Sequence, residues 1–155
     1  RLAAARHVEI ITPVIQGEND HELDEMAAFI AGIDRELPWH VFRLLPEDEM
    51  KSARYPNIEA INAALESART KLPYLYFHNF VGSDWVDTRC PDCGAAAIER
   101  FSLGCGGDML RRVLCPDGRC AACGREIRLL RHGAQACVSG DPESLNSAEC
   151  AELYC

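Results

Sequence analysis

Residues 8–20 read VEIITPVIQGEND. The stretch 8–15 is apolar and rich in β-branched side chains, which predicts a strand. Gly17, Glu18, Asn19 and Asp20 then break the run as a turn. From about 20 to 36, Leu23, Met26, Ala27, Ile30, Ile33 and Leu37 recur three and four residues apart, the apolar stripe of a helix. Asn19, with Glu22 three residues on, predicts a capping pair, and Pro38 stops the helix.

The same order then repeats. Residues 39–45 (WHVFRLL) predict a second strand, ended by Pro46. Asn57 is placed to cap a second helix whose stripe is Ile58, Ile61, Leu65, Ala68 and Leu72. Arg69 and Lys71 suit the negative end of that helix, and Pro73 closes it. Residues 74–81 (YLYFHNFV) predict a third strand. A β-α-β-α-β order favours a parallel sheet with right-handed crossovers. Residues 2–6 (LAAAR) read as the end of a preceding helix. The expected fold class is therefore α/β, a partial parallel (β/α) barrel of about three units, and the chain, which opens on Arg1, is expected to be a fragment of a larger barrel.

Composition narrows the function classes. The 155 residues carry 16 Lys+Arg against 24 Asp+Glu, a net charge of −8. That charge repels phosphate backbones and anionic lipid, so no nucleic-acid partner is expected. No apolar run reaches the roughly 18–20 residues of a membrane helix, so no membrane partner is expected either.

All nine cysteines lie between Cys90 and Cys155. A cysteine-free half followed by a cysteine-rich half reads as a cytoplasmic domain with an attached metal module, not as a secreted disulfide framework. Cys90-Pro91-Asp92-Cys93-Gly94 and Cys120-Ala121-Ala122-Cys123-Gly124 are two C-x-x-C-G knuckles. Cys90, Cys93, Cys120 and Cys123 together offer four thiolates, the donor set of tetrahedral Zn²⁺, and rubredoxin-like Fe fits the same set. Between the knuckles, strands are expected over 98–103 and 110–114, turned by Gly104, Gly106 and Gly107, with a third over 126–130. A module of this size is too small to hold itself, so the metal supplies much of its folding free energy. Cys105 and Cys115 read as buried small residues, an incidental pair or further iron–sulfur ligands, and Cys137, Cys150 and Cys155 lie in a polar tail. The expected division is 1–82 for the barrel part, 83–131 for a four-cysteine, zinc-ribbon-like module and 132–155 for a disordered tail.

Ligands of parallel α/β folds bind beyond the C-terminal strand ends. Glu9, Thr12, His40, Arg43, His78 and Asn79 are polar residues on otherwise apolar strands. Taken singly, Glu9 and Arg43 read as paired with each other or with neighbours, and the histidines as satisfied structural residues. As a set they predict at least one ligand contact. The turn 17–20 reads first as a plain tight turn, although its N–H groups are also of the kind that receive anions.

VEIITPVIQGEND, PWHVFRLLPEDEM, YLYFHNFVGSDW and CPDCG…CAACG, in this order over residues 1–130, resemble the C-terminal half of radical S-adenosylmethionine proteins. The likeness is to the pyruvate-formate-lyase-activating-enzyme-like branch, which includes the radical SAM protein of the AmmeMemoRadiSam system. The resemblance implies a partial (β/α) barrel whose other half carries a [4Fe–4S] cluster on a C-x3-C-x2-C loop. There S-adenosylmethionine is cleaved reductively to start radical chemistry. It also implies that Val14, Ile15, Gly17, Asn19 and Asp20 lie beside the cofactor, that His40 and Arg43 point into the barrel, and that the four knuckle cysteines are the terminal metal ligands.

Successive cysteines lie 3, 12, 10, 5, 3, 14, 13 and 5 positions apart, so C-x3-C-x2-C is absent from this chain. Leu45-Pro46 also stands where relatives carry a polar residue. The chain alone is therefore expected to be inactive. Its expected partners are the missing N-terminal half of the barrel and a protein or small-molecule substrate, and poor solubility is expected of an isolated half-barrel. Two other readings stand beside this one: a non-catalytic α/β domain whose zinc ribbon binds protein, and an electron carrier with a four-thiolate iron site.

Overall fold

The computed structural model describes residues 8–128. The expected helix end over 2–6 and the polar tail over 132–155 lie outside them. The chain divides into two units between His78 and Asn79.

In the first unit, β1 (Ile10–Val14), β2 (Trp39–Arg43) and β3 (Leu75–His78) form a parallel sheet in the order β1-β2-β3. Two helices make the crossovers: α1 (Leu23–Ile33) and α2 (Ile58–Arg69). Alternation along the strands gives the sheet two unlike faces. Val14, Trp39, Val41, Leu75 and Phe77 are buried on one face with Leu23, Ala27 and Ile30 of α1 and Ile61, Leu65 and Ala68 of α2. Ile11, His40, Phe42, Tyr76 and His78 belong to the other face. The Trp39 indole Nε1–H donates to Thr12 Oγ1 at 2.9 Å, which satisfies the one polar atom of this large core side chain.

Both helix starts were legible in part. Asn57 caps α2 as predicted, its Oδ1 accepting the N–H groups of Glu59 and Ala60. The predicted Asn19–Glu22 capping pair does not form. Glu22 precedes α1 without a side-chain cap bond. Asn19 turns back instead, accepting the Ile15 N–H at 2.8 Å and donating to Pro13 O at 3.0 Å. A three-residue turn lies between Asn19 and the helix, so its side chain closes the turn before it reaches the helix.

In the second unit, β4 (Thr88–Arg89), β5 (Ala96–Ser102) and β6 (Asp108–Val113) form an antiparallel sheet. The glycine turn falls where the sequence put it, as a short 3-10 segment over Gly104–Gly106. The third strand does not. Of the residues expected to form it, Glu126 makes a single bridge to Arg119, and 129–130 lie outside the described residues. The sheet's third strand is Thr88–Arg89, ahead of the first knuckle, where Arg100 holds it. The Arg100 guanidinium Nη1 donates to Val86 O at 3.0 Å and Thr88 Oγ1 at 2.9 Å. Ile98 and Ile127 are fully buried in this unit.

Candidate functional site

The two knuckles are built alike from backbone upward. In the first, the Cys90 N–H donates to Ala95 O at 2.8 Å and the Gly94 N–H to Cys90 O at 2.9 Å. In the second, the Cys120 N–H donates to Arg125 O and the Gly124 N–H to Cys120 O, both at 2.8 Å. Gly94 at φ 72° and Gly124 at φ 76° occupy left-handed backbone, where a Cβ would strain the turn. The arginine ahead of each knuckle is equivalent too. Arg89 reaches Gly94 O at 3.5 Å and Arg119 reaches Gly124 O at 3.2 Å. These arginines escaped the sequence reading, although R-C-x-x-C-G occurs twice, thirty positions apart.

The repeat brings the sulfurs together crosswise. Cys90 Sγ lies 3.6 Å from Cys123 Sγ, and Cys93 Sγ lies 3.5 Å from Cys120 Sγ. All four are within 4.8 Å of one another. A tetrahedron with metal–sulfur bonds of about 2.3 Å has sulfurs about 3.8 Å apart, so the set fits one ion at its centre. The group can therefore hold a metal ion such as zinc or iron.

Electrostatics favour a cation among the four sulfurs. The N–H groups of Cys123 and Ala122 aim at the Cys120 sulfur and pull its thiol down to about 7. At Cys123 the Arg125 N–H acts in the same direction, but the crowding of Cys93, Cys90 and Cys120, with burial, pushes it up to about 12. Cys93 is pulled down by the Ala95 N–H and raised on balance by Cys120, burial and Cys90. One thiolate thus forms readily and the next ones are opposed by it. A bound cation removes that opposition.

Cys115 is outside this set. It is buried, its Sγ donates to Ala97 O at 3.2 Å, and burial raises it to about 11. Cys105 is exposed in the glycine turn. Cys137, Cys150 and Cys155 lie outside the described residues.

The residues expected around a cofactor in the first unit separate into three places. Val14 is fully buried in the helix-facing core. Ile15, Gly17, Asn19 and Asp20 form the turn after β1, four of whose N–H groups are already engaged. Ile15 N–H is held by Asn19, Gly17 N–H by Asp20 Oδ1 at 2.9 Å, and the Glu18 and Asn19 N–H groups by Ile15 O. Gln16, which the sequence reading passed over, ties this turn to the next loop. Its Oε1 accepts the Asn57 N–H at 2.8 Å and its Nε2 donates to Asp20.

His40 and Arg43 do not share a face. Three positions on a strand put them on opposite sides. The Arg43 guanidinium lies 5.9 Å from the centre of the Tyr55 ring. His40 meets three residues on the other face. Its Nδ1 is 2.8 Å from His78 Nε2, its Nε2 is 3.3 Å from Glu9 Oε2, and its ring stacks on Tyr76 at 4.8 Å. The Glu9–His40 contact is thus an ion-pair distance. Phe42 stacks on His78 at 5.1 Å.

The chain is similar to an uncharacterized protein of Methanocaldococcus jannaschii. The two are 27% identical over 128 residues, an alignment covering 79% of this chain and 37% of the relative. The chain therefore spans just over a third of that relative's length. No known family's sequence model matches the chain, and no solved structure matches it. Among the described residues, no helix is long and apolar enough to cross a membrane.

Proposed function

We propose that the chain is the C-terminal part of a larger (β/α) barrel of the radical SAM type, closed by a structural zinc ribbon. The observation that carries this reading is a seam of apolar surface along β1. Among the described residues β1 pairs on one side only, with β2. Next to that edge Ile11 is 65% exposed, and on α1 Phe29 and Ile33 are 73% and 61% exposed. Asp24 on α1 bonds Ser67 and Lys71 and so marks the flank toward α2. At 3.6 residues per turn, Phe29 and Ile33 fall on the opposite flank, where a preceding β/α unit of a barrel would pack. The longer relative supplies room for such units.

The residues present do not fit an iron–sulfur cluster. The four gathered sulfurs suit a single ion, and C-x3-C-x2-C is absent. S-adenosylmethionine chemistry would have to be supplied by other parts of the protein, and the contribution of this chain would be the ligand-facing strands. The ion among the four knuckle sulfurs holds the ribbon.

A second reading has its own observations. Pro13 presents no N–H on the outer side of β1, which is how a natural sheet edge is closed. In the second unit Phe101 stands opposite Met109, and Val81 bridges Leu103, all four exposed. These fit a binding module whose ribbon takes a protein partner.

The test uses the longest natural polypeptide that contains this sequence. Reconstituted anaerobically with iron and sulfide, it should show cluster absorbance and release 5′-deoxyadenosine from S-adenosylmethionine with a reductant. No cluster and no cleavage would leave the binding module. For the chain itself, one zinc and no colour are expected, and a red protein would point to iron.

A further inference from the structure

We propose that the two crosswise sulfur pairs, Cys90 with Cys123 and Cys93 with Cys120, form a redox switch. Oxidation joins each pair as a disulfide, which closes the metal site and keeps the two knuckles tied. The inference deepens the reading of these cysteines as the metal ligands of the ribbon, and it rests on that reading.

Geometry selects the pairing. The contacts at 3.6 Å (Cys90–Cys123) and 3.5 Å (Cys93–Cys120) share no sulfur. They are opposite edges of the group of four, so both bonds can form at once and leave no donor for an ion. A disulfide bond is about 2.05 Å long, so each pair closes by about 1.5 Å, a movement that side-chain rotation supplies. The bonds that shape the knuckles, donated by the N–H groups of Cys90, Gly94, Cys120 and Gly124, are backbone bonds. None involves sulfur, so none has to break.

The competing arrangement is a bridge inside each C-x-x-C. Such a bridge leaves the two knuckles unlinked. The crosswise partners lie 33 and 27 positions apart. Bridges of that span constrain the unfolded chain far more than local ones do, so under thiol–disulfide exchange they are the pairing that the folded ribbon favours.

Each pair joins a buried sulfur, Cys90 or Cys120, to an exposed one, Cys123 or Cys93. An oxidant in solution therefore has access to both pairs. With oxidised glutathione as the oxidant, one protein thiolate attacks the glutathione disulfide. A mixed disulfide forms and one glutathione thiolate leaves. The neighbouring thiolate then attacks the protein sulfur of the mixed disulfide, which makes the Cys–Cys bond and releases the second glutathione thiolate. The pair gives up two electrons, glutathione takes them, and the two cysteine protons end on the two glutathione thiols. Metal and oxidant claim the same sulfurs, so metal protects the thiols and oxidation excludes metal. Cys115 stands apart, buried and donating to Ala97 O at 3.2 Å.

The experiment uses the full chain carrying Cys105→Ser, Cys137→Ser, Cys150→Ser and Cys155→Ser, which leaves the knuckle thiols and Cys115. Stripped of metal by a chelator, it is equilibrated with reduced and oxidised glutathione, quenched in acid and mapped by mass spectrometry. Bridges Cys90–Cys123 and Cys93–Cys120 are expected, with dispersed β4–β6 amide signals in the NMR spectrum. Zinc uptake in competition with a chromophoric chelator should be lost, and a dithiol reductant should restore it. The zinc-loaded chain should keep its four thiols in the same buffer, and more oxidised glutathione should be needed as free zinc is raised. Cys93→Ser with Cys120→Ser removes half of the donor set and should still bridge Cys90 to Cys123. Bridges inside the knuckles, a bridge to Cys115, an oxidised chain whose β4–β6 signals stay collapsed, or zinc uptake unchanged by oxidation would overturn the switch. A reduced chain that takes up no zinc would sink the metal-site reading and the switch with it. Wrong bridges in a chain that takes up zinc when reduced would sink the switch alone.

Discussion

Cys90 Sγ lies 3.6 Å from Cys123 Sγ, so the first cysteine of one knuckle meets the last cysteine of the other across 33 residues of chain. A single ion held by these sulfurs would tie β4 to the segment after β6. Cys90→Ser should lower metal affinity by more than the roughly 10–100-fold that loss of a supporting contact costs. The β4–β6 amide signals should collapse while the His40 and His78 ring signals persist. Competition with a chromophoric chelator and an NMR spectrum check both parts.

Metal affinity should fall steeply as pH falls. Cys123, pushed up to about 12, and Cys93, also raised, carry protons at neutral pH in the metal-free chain. Binding must displace them, whereas Cys120, at about 7, is already half ionised there. Protons and metal compete for the same sulfurs, so acid favours release. With at least two protons displaced, affinity should drop about 100-fold per unit near pH 7. Chelator competition at pH 6, 7 and 8 measures the slope.

Thiol reagents should discriminate among the cysteines. Cys105 is exposed and should alkylate at once. Cys115 is buried, bonded to Ala97 O and raised to about 11, so it should resist in the metal-bound protein. The four knuckle thiols should react only after metal is withdrawn. Peptide mapping by mass spectrometry reads each site.

Thr12→Val should cost about 1–3 kcal/mol, because it removes the acceptor of a buried indole N–H while keeping the shape of the side chain. Urea unfolding followed by tryptophan fluorescence is the measurement.

Asn57→Ala should cost about 1 kcal/mol through the lost α2 cap. Gln16→Ala should leave that cap in place and free the Asn57 N–H from the turn after β1. Thermal unfolding should rank Asn57→Ala as the less stable of the two.

The sequence by itself determined the main strands and helices of the first unit and the four cysteines that gather as a candidate metal site. Apolar periodicity and Pro38, Pro46 and Pro73 are local signals, and a strand or helix responds to them locally. The knuckles are equally local, since C-x-x-C-G folds on its own hydrogen bonds and the glycine must accept a left-handed φ. Tertiary structure alone decided the rest. It put Arg43 over Tyr55, away from His40, because a strand sends residues three apart to opposite faces. It turned Asn19 back onto Ile15, and it recruited Thr88–Arg89 as the third strand in place of the stretch after Cys123. It joined Glu9, His40 and His78, which come from three strand regions whose register no local pattern encodes. Contacts between neighbouring parallel strands depend on how the crossover helices seat on the sheet, and that is settled only when the buried faces of Trp39, Leu65 and Phe77 come together.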